Sequence, residues 1–204
     1  MKILYWNIAQ NRIGDLLREI AIEQDIDMLI LSECPDDIAY LLTHLNNSNP
    51  KTYKYVDNSL SRERMFVSFL PSLVDNVLDV DHLSIRKVNP PLGDSFLMAL
   101  VHLPSKMYER SKGQALYATR IERYIEEQER KHDHERTVVV GDFNMNPFEV
   151  GLVGPEAFHA VPHRRIAVRE ARMIYGERKP YYYNPMWNYL GDKDRIGGTF
   201  YSRV

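Results

Sequence analysis

The order of predicted elements up to residue 45 most constrains what this chain can fold into. A short apolar run at Lys2–Ala9, rich in residues that favour strands, predicts a buried strand. Apolar residues near helical spacing predict an amphipathic helix over Ile13–Gln24. Asp27–Glu33 predicts a second buried strand, and Pro35 opens a second helix that ends near Leu45. This strand–helix–strand–helix order is typical of a layered α/β fold.

The middle of the chain changes character, because strand-like runs follow one another with no predicted helix between them. These runs are Tyr53–Val56, Arg64–Phe69, His82–Val88 and Ser95–Leu103. Consecutive strands with short connections favour antiparallel pairing. A long helix is predicted over Ser111–His132, and a Val-rich strand over Thr137–Val140. From Pro147 onward the chain is predicted to be irregular, except for a short helix at Pro162–Glu170 and a last strand at Thr199–Ser202.

Composition and charge exclude several classes of protein. Hydrophobic residues make up 44% and charged residues 26%, close to the globular average, which argues against disorder. The net charge of -2 excludes a chain that holds nucleic acid by bulk positive charge. The single cysteine, Cys34, cannot form an internal disulfide, so a reducing cytoplasm is the expected compartment. The longest uncharged apolar run, Ser95–Ser105, is about half of a membrane-spanning helix, so no membrane span is expected.

Polar side chains occur where predicted strands end. Asn7 lies in the first strand, Glu33 ends the second, and Asp142 follows the Val-rich strand, with Asn144 two residues later. Ligands of open α/β sheets bind at the carboxyl ends of strands, so we expect these side chains to form one oxygen-rich pocket. Such ligands suit a hard cation, Mg²⁺ or Mn²⁺, which completes its shell with water and phosphate oxygens. The pattern therefore indicates metal-assisted attack on a phosphoester.

Each of these residues also has an ordinary structural interpretation. A polar residue at a strand end is often a turn former or a helix cap. The segment Asp142–Pro147 in particular fits an Asx-type turn. The functional interpretation is favoured because four polar residues fall at corresponding strand ends.

The same residues resemble the endonuclease/exonuclease/phosphatase superfamily, which includes deoxyribonuclease I. The motifs that carry the resemblance are Trp6–Asn7, Leu31–Glu33 and Gly141–Asn144, in this order along the chain. The resemblance extends from residue 2 to about residue 148. It implies a four-layer α/β/β/α sandwich of the deoxyribonuclease I-like type. It also implies Mg²⁺-dependent hydrolysis of a phosphoester substrate, either nucleic acid or a small phosphoester.

The resemblance implies a role for each candidate residue. Glu33 is similar to the principal metal carboxylate, with Asn7 beside it at the metal and the phosphate. Asp142 is similar to the aspartate that orients or deprotonates the attacking water, and Asn144 to the asparagine that hydrogen-bonds the scissile phosphate. His102 resembles a histidine that contacts the phosphate. A histidine that ends a strand, however, often bonds only a neighbouring backbone group.

The sequence departs from the superfamily in its C-terminal part. The superfamily ends with a Ser-Asp-His motif, whereas the last histidine here is His163, and neither Asp192 nor Asp194 precedes a histidine. No repeat, linker or shift in composition marks a boundary, so we expect one domain over 1–204 that lacks the C-terminal strand or strands of the fold. Because loss of a general acid or base slows catalysis, we expect this chain alone to be weak or inactive. A non-catalytic phosphate- or partner-binding protein that retains the fold is the alternative.

Two later segments have two open interpretations each. The basic segment 164–179 either contacts a phosphate backbone or an anionic head group, or forms a solvated helix face. The run Tyr181–Trp187 either stacks on a base or sugar, or packs against a sheet edge. The sequence does not specify the oligomeric state.

Overall fold

The structure, a computed structural model, describes residues 1–57, 63–106, 111–134, 136–169 and 171–189. The chain divides into two compact units. Unit 1 comprises Met1–Pro104 and Tyr124–Asn144, and unit 2 comprises Ser105–Arg123 and Met145–Val204. The predicted strand Thr199–Ser202, and Asp192 and Asp194 before it, lie outside the described residues. The expectation of one domain over 1–204 stays a prediction.

The first sheet of unit 1 contains the first two strands of the chain. β1 (Ile3–Asn7) pairs in parallel with β2 (Met28–Ser32), as expected for a strand–helix–strand unit. β4 (Glu63–Val67) pairs antiparallel with both β2 and β3 (Lys54–Val56), so the strand order is β1-β2-β4-β3. The parallel register places Asn7 opposite Ser32, and Glu33 directly follows.

The second sheet of unit 1 brings two distant parts of the chain together. Its strands are β5 (Val74–Val80), β6 (Leu83–Val88), β7 (Phe96–His102) and β8 (Thr137–Asp142), in this order. β5, β6 and β7 are antiparallel, whereas β8 is parallel to β7 and places Asp142 opposite His102. The strand β5 was not predicted. A register shift between Asn76 and Leu78 interrupts its pairing with β6, and such a bulge obscures the alternation that identifies a strand.

Two helices cover one face of the first sheet. α1 (Gly14–Glu23) and α2 (Ile38–Asn46) pack on it through the buried side chains Leu17, Ala21, Leu41 and Leu45, against Leu29, Leu31 and Phe66. α2 begins later than the predicted start at Pro35. Asp37 is its N-cap, because the side-chain Oδ1 accepts a hydrogen bond from the Tyr40 backbone N–H at 3.0 Å.

The other face of the first sheet packs on the second sheet. This inner core contains Met28, Ile30, Met65, Val88, Met98 and Leu100, all buried. Alternate residues of β7, such as Ala99 and Val101, are also fully buried, so the second sheet is covered on both faces. The fourth layer is the part of α3 (Ser111–Lys131) that belongs to unit 1, residues 124–131, where Glu129 accepts a hydrogen bond from the Thr137 hydroxyl of β8. The fold is therefore the predicted four-layer α/β/β/α sandwich.

Unit 2 is more regular than predicted. Its described elements after Pro147 are α4 (Val150–Val153), β9 (Ala160–Val161), α5 (Arg164–Ala167), β10 (Ala171–Ile174), β11 (Glu177–Pro180), β12 (Tyr182–Tyr183) and a 3₁₀ helix at Pro185–Tyr189. The helix predicted over Pro162–Glu170 is only the short α5. Tyr175 and Gly176, with φ of 50° and 85°, form the two-residue turn of the β10–β11 hairpin. A Tyr-Gly pair is a weaker hairpin signal than Asn-Gly, which explains why the prediction was wrong.

Among the described residues, no helix has the length and apolar character needed to cross a membrane.

Candidate active site

Two pairs of parallel strands bring the predicted site residues together in unit 1. Asn7 and Glu33 come from the ends of β1 and β2, and His102 and Asp142 from the ends of β7 and β8. One ligand atom each from Glu33, His102 and Asp142 lie within 4.8 Å of one another. The acidic groups at 33 and 142 therefore converge, as the strand-end pattern predicts.

The Asn7 side chain joins the two carboxylates. Its Nδ2 donates to Glu33 Oε1 at 2.9 Å and to Asp142 Oδ2 at 3.1 Å. Its Oδ1 accepts a hydrogen bond from the Ala9 backbone N–H at 3.0 Å, which fixes the orientation of the amide. In this rotamer Asn7 presents donors to the site. Its assignment as a metal ligand stays a prediction.

Glu33 occupies an unusual backbone conformation. Its φ is +47°, in the left-handed region that residues other than glycine rarely adopt. The Gln10 backbone N–H donates to the Glu33 carbonyl at 2.8 Å and helps to hold this conformation. The Glu33 side chain is 43% exposed, so its carboxylate can accept a ligand from solvent. Backbone strain of this kind is characteristic of functional sites.

His102 is held by a side chain rather than by backbone. Its Nδ1 lies 2.8 Å from the Ser32 hydroxyl oxygen, and its Nε2 lies 3.8 Å from Glu33 Oε1. The His102 backbone carbonyl instead accepts a hydrogen bond from His82 Nδ1 at 2.7 Å. The ring therefore faces the site edge-on, with Nε2 beside the carboxylates.

Asp142 and Asn144 form the Asx-type turn that was the alternative interpretation, and Asp142 also accepts a hydrogen bond from Asn7. The role of Asn144 at the phosphate stays a prediction. Asp142 Oδ1 accepts a hydrogen bond from the Asn144 backbone N–H at 3.0 Å. Asn144 Nδ2 donates to the Leu103 carbonyl at 2.8 Å, which orients its amide. Asn144 has φ of 50°, a conformation that asparagine tolerates better than most residues. The turn is thus the means by which the strand end presents both side chains.

Gly141 is required by the close approach of β7. A Cβ at this position would lie 1.8 Å from the Val101 carbonyl oxygen. Any other residue would push β8 away from β7 and separate Asp142 from His102. This contact gives a physical reason for the glycine in the Gly-Asp-Phe-Asn motif.

Sequence reasoning missed two polar groups behind the site. Ser32, a member of the motif Leu31–Glu33, is fully buried and contacts His102. The Tyr5 hydroxyl on β1 is buried and makes no hydrogen bond of regular geometry to the described residues. Burial raises the pKa of Tyr5, an interaction with Ser32 opposes the shift, and the charges of Asp142 and Glu63 add to it. The sequence signal that could have identified both groups is a residue with a hydroxyl within an otherwise apolar strand.

The donor set fits a divalent cation. Two carboxylates and an imidazole within reach of one ion, with one carboxylate open to solvent, are compatible with Mg²⁺ or Mn²⁺. In the described parts of the chain, this is the single group of three or more His, Cys, Asp or Glu side chains with that geometry.

The tyrosines of unit 2 make packing contacts. The Tyr181 ring lies 4.4 Å from the His159 ring, Tyr182 contacts Phe158 edge-on at 5.5 Å, and Arg164 lies 5.2 Å above the Tyr183 ring. These contacts match the packing interpretation of the run Tyr181–Trp187. The basic segment forms α5 and the β10–β11 hairpin rather than one helix face.

Comparisons with known proteins agree on the fold. No protein-family model and no curated protein match this sequence. The structure is similar to an endonuclease/exonuclease/phosphatase family protein from Bacteroides thetaiotaomicron, with a TM-score of 0.50 and 14% identity over 74% of this chain and 64% of that chain. It is also similar to truncated TDP2 from Caenorhabditis elegans, with a TM-score of 0.50 and 19% identity over 72% of this chain and 64% of that chain.

These similarities define the class of fold. The chain has the deoxyribonuclease I-like fold of endonuclease/exonuclease/phosphatase proteins, which confirms the fold that the motifs implied. It spans 64% of the length of each of the two solved chains.

Proposed function

We propose that this protein is a Mg²⁺-dependent phosphoester hydrolase of the endonuclease/exonuclease/phosphatase type, with Mn²⁺ as the alternative cation. The observation that carries the proposal is the convergence of Glu33, His102 and Asp142, within 4.8 Å of one another, at the carboxyl ends of strands from distant parts of the chain. Asn7 links the two carboxylates by hydrogen bonds. The fold of the two similar proteins supports the same class of reaction.

Glu33 would hold the cation, with the Asp142 carboxylate beside it. Asn7 would orient both carboxylates through its Nδ2 donors, and its role as a metal ligand stays a prediction. When bound, the cation neutralises charge on the phosphoryl oxygens and so favours attack on phosphorus. Asp142 would orient or deprotonate the attacking water. Both of its carboxylate oxygens are held, Oδ1 by the Asn144 backbone N–H and Oδ2 by Asn7, so the base has a fixed direction.

Two donors would bind the scissile phosphate. An amide nitrogen carries two hydrogens, and the bond from Asn144 Nδ2 to the Leu103 carbonyl orients this amide. His102 would contribute its Nε2, which faces the carboxylates at the same site. Donors placed in advance stabilise charge that develops on the phosphoryl oxygens.

The proposed substrate is a phosphodiester or a phosphomonoester, within nucleic acid or a small molecule. The proposed compartment is the cytoplasm, because the one cysteine, Cys34, is a buried free thiol. Burial raises the pKa of this thiol to about 11, so it stays protonated and unreactive near neutral pH.

The alternative function is a non-catalytic phosphate- or partner-binding protein with the same fold. The feature that favours it is the departure from the superfamily's Ser-Asp-His motif, since neither Asp192 nor Asp194 precedes a histidine. Binding and turnover therefore have to be measured separately.

The test is a hydrolysis screen with nucleic acids, nucleotides, inositol phosphates and model diesters, with and without Mg²⁺. We expect weak Mg²⁺-dependent turnover from this chain, and we expect it to fall by roughly 10²-fold or more in Asp142→Asn, because the general base is lost. Glu33→Ala should lose the Mg²⁺-dependent turnover, because the principal metal carboxylate is removed. Glu19→Ala, an exposed change on α1, is the control. Full activity of Glu33→Ala would contradict the proposal. Calorimetry that detects Mg²⁺ binding without turnover of any substrate would favour the binding protein.

A further inference from the structure

The last residue of β2 is a buried hydroxyl that the proposed reaction does not use. Ser32 is 0% exposed, and its Oγ lies 2.8 Å from His102 Nδ1. This distance is that of a hydrogen bond between the Ser32 hydroxyl and the imidazole. The same ring has its other nitrogen, Nε2, 3.8 Å from Glu33 Oε1. The contact therefore joins a buried group to the one imidazole of the site.

Hydrogen-bond satisfaction determines where the ring proton lies. A buried hydroxyl needs an acceptor for its proton, and a neutral imidazole has one donor nitrogen and one acceptor nitrogen. If Ser32 donates to Nδ1, that nitrogen carries no proton, and the ring proton lies on Nε2. If the ring takes a second proton, Nδ1–H donates to Oγ instead, and Nε2 still carries its proton.

A second contact of the ring favours this arrangement. On the other side of the ring, Nε2 faces the Glu33 carboxylate, which favours a proton on that nitrogen.

We propose that Ser32 is a positioning residue that holds His102 with its proton on Nε2, so that His102 donates a hydrogen bond at the site and does not ligate the cation. A metal-bound imidazole must offer a lone pair, and a protonated Nε2 has none. The cation is then held by oxygen ligands, which suit Mg²⁺ and lack the imidazole nitrogen that Zn²⁺ favours. The choice of cation rests on the proposed function, whereas the position of the proton does not.

The first test is the position of the proton, measured without metal or substrate. Two-bond ¹H–¹⁵N correlation spectra of the ¹⁵N-labelled protein, with His102 assigned from His102→Gln, identify the protonated nitrogen once the ring is neutral. We expect a single tautomer with the proton on Nε2 in the wild-type protein and in Ser32→Thr, which keeps the hydroxyl. Ser32→Ala should show a mixture of both tautomers. A wild-type ring with its proton on Nδ1 overturns the proposal even if Ser32→Ala does not fold, and so does an unchanged ring in Ser32→Ala.

The second test is cation preference. Ser32→Ala frees Nε2 to act as a ligand, so its affinity for Zn²⁺ should rise roughly tenfold while its affinity for Mg²⁺ stays unchanged. The double variant Ser32→Ala/His102→Gln should lose this gain, which separates His102 from other zinc-binding groups. A gain that persists in the double variant contradicts the proposal. A wild-type protein that binds neither ion contradicts the proposed function but leaves the result on the tautomer standing.

Discussion

Asn7 and Asp142 lie 135 positions apart in the sequence, and Asn7 Nδ2 donates a hydrogen bond of 3.1 Å to Asp142 Oδ2. The same nitrogen donates to Glu33 Oε1 at 2.9 Å. A primary amide can bridge two carboxylates without adding charge, because its nitrogen carries two hydrogens. The two anionic groups of the site are therefore already held together by a neutral dipole before any cation binds.

Asn7→Asp should make stability depend on Mg²⁺. The change removes both donors and adds a third carboxylate to the two that Asn7 joins, so we expect the free energy of unfolding to fall by about 2–3 kcal/mol in the presence of a chelator. Bound Mg²⁺ compensates the added charge and should restore part of this loss. Urea denaturation with a chelator and with Mg²⁺ measures both effects.

Asn7→Ala is the matched control for this prediction. It loses the same two hydrogen bonds but adds no charge, so it should be less destabilised, and Mg²⁺ should restore less of its stability. If Mg²⁺ stabilises both variants to the same extent, the proposal that the two carboxylates bind one cation is wrong.

The parts of the site that follow from strand order were predictable from sequence. Asn7 and Glu33 come from a strand–helix–strand unit, where the parallel pairing and the strand ends follow from apolar periodicity. Asp142 was located by the Val-rich strand before it. The glycine at 141 signalled an irregular backbone, although only the structure identifies the Val101 carbonyl as the group that excludes a side chain.

The parts that depend on pairing between distant strands were not predictable. The contact between Ser32 and His102 joins positions 70 residues apart, in two different sheets. No local pattern specifies which polar residue of one sheet faces which residue of the other. The bulged strand β5 and the Tyr175–Gly176 hairpin were missed for a local reason, since each lacks the regular alternation or the Asn-Gly signal on which the prediction depends.

Glu33→Gly should be more stable than Glu33→Ala. Both changes remove the same carboxylate, but only glycine adopts a φ of +47° without strain, so we expect a difference of about 1 kcal/mol in the free energy of unfolding. Denaturant unfolding of the two variants side by side isolates the backbone contribution. Equal stability would mean that Glu33 does not hold the left-handed conformation.

Asp27 should contribute a pH-dependent part of the stability. Burial raises the pKa of this carboxyl, but hydrogen bonds from Lys51 Nζ at 2.7 Å and from the Lys2 backbone N–H at 2.8 Å outweigh it and hold the pKa below its ordinary value of 3.8. A carboxyl whose pKa is lowered in the folded state stabilises the fold above the unfolded-state pKa. This stability is lost as the pH falls below 3.8 through the folded-state pKa.

Asp27→Asn should therefore cost about 1 kcal/mol at neutral pH and should lose less further stability on acidification than the wild-type protein. Urea denaturation at a series of pH values, from neutral to below 3.8, measures both effects. Glu19→Gln, an exposed change on α1, should follow the wild-type curve. Parallel acid curves for Asp27→Asn and wild type would show that the contacts with Lys51 and Lys2 do not stabilise the charged form.

Gly141→Ala tests the strand pair that carries His102 and Asp142. The added Cβ would lie 1.8 Å from the Val101 carbonyl oxygen and 2.7 Å from its carbon, and backbone atoms on both strands are fixed by the β7–β8 ladder. We expect a loss of about 3 kcal/mol or more in the free energy of unfolding, because the strands must separate. Gly93→Ala is the matched control: its φ is +97° and its Cβ would meet no atom within 4 Å, so only backbone strain of about 1 kcal/mol is added. If both variants lose the same stability, β8 does not approach β7 as closely as the structure describes, and the distance between His102 and Asp142 would have to be larger as well.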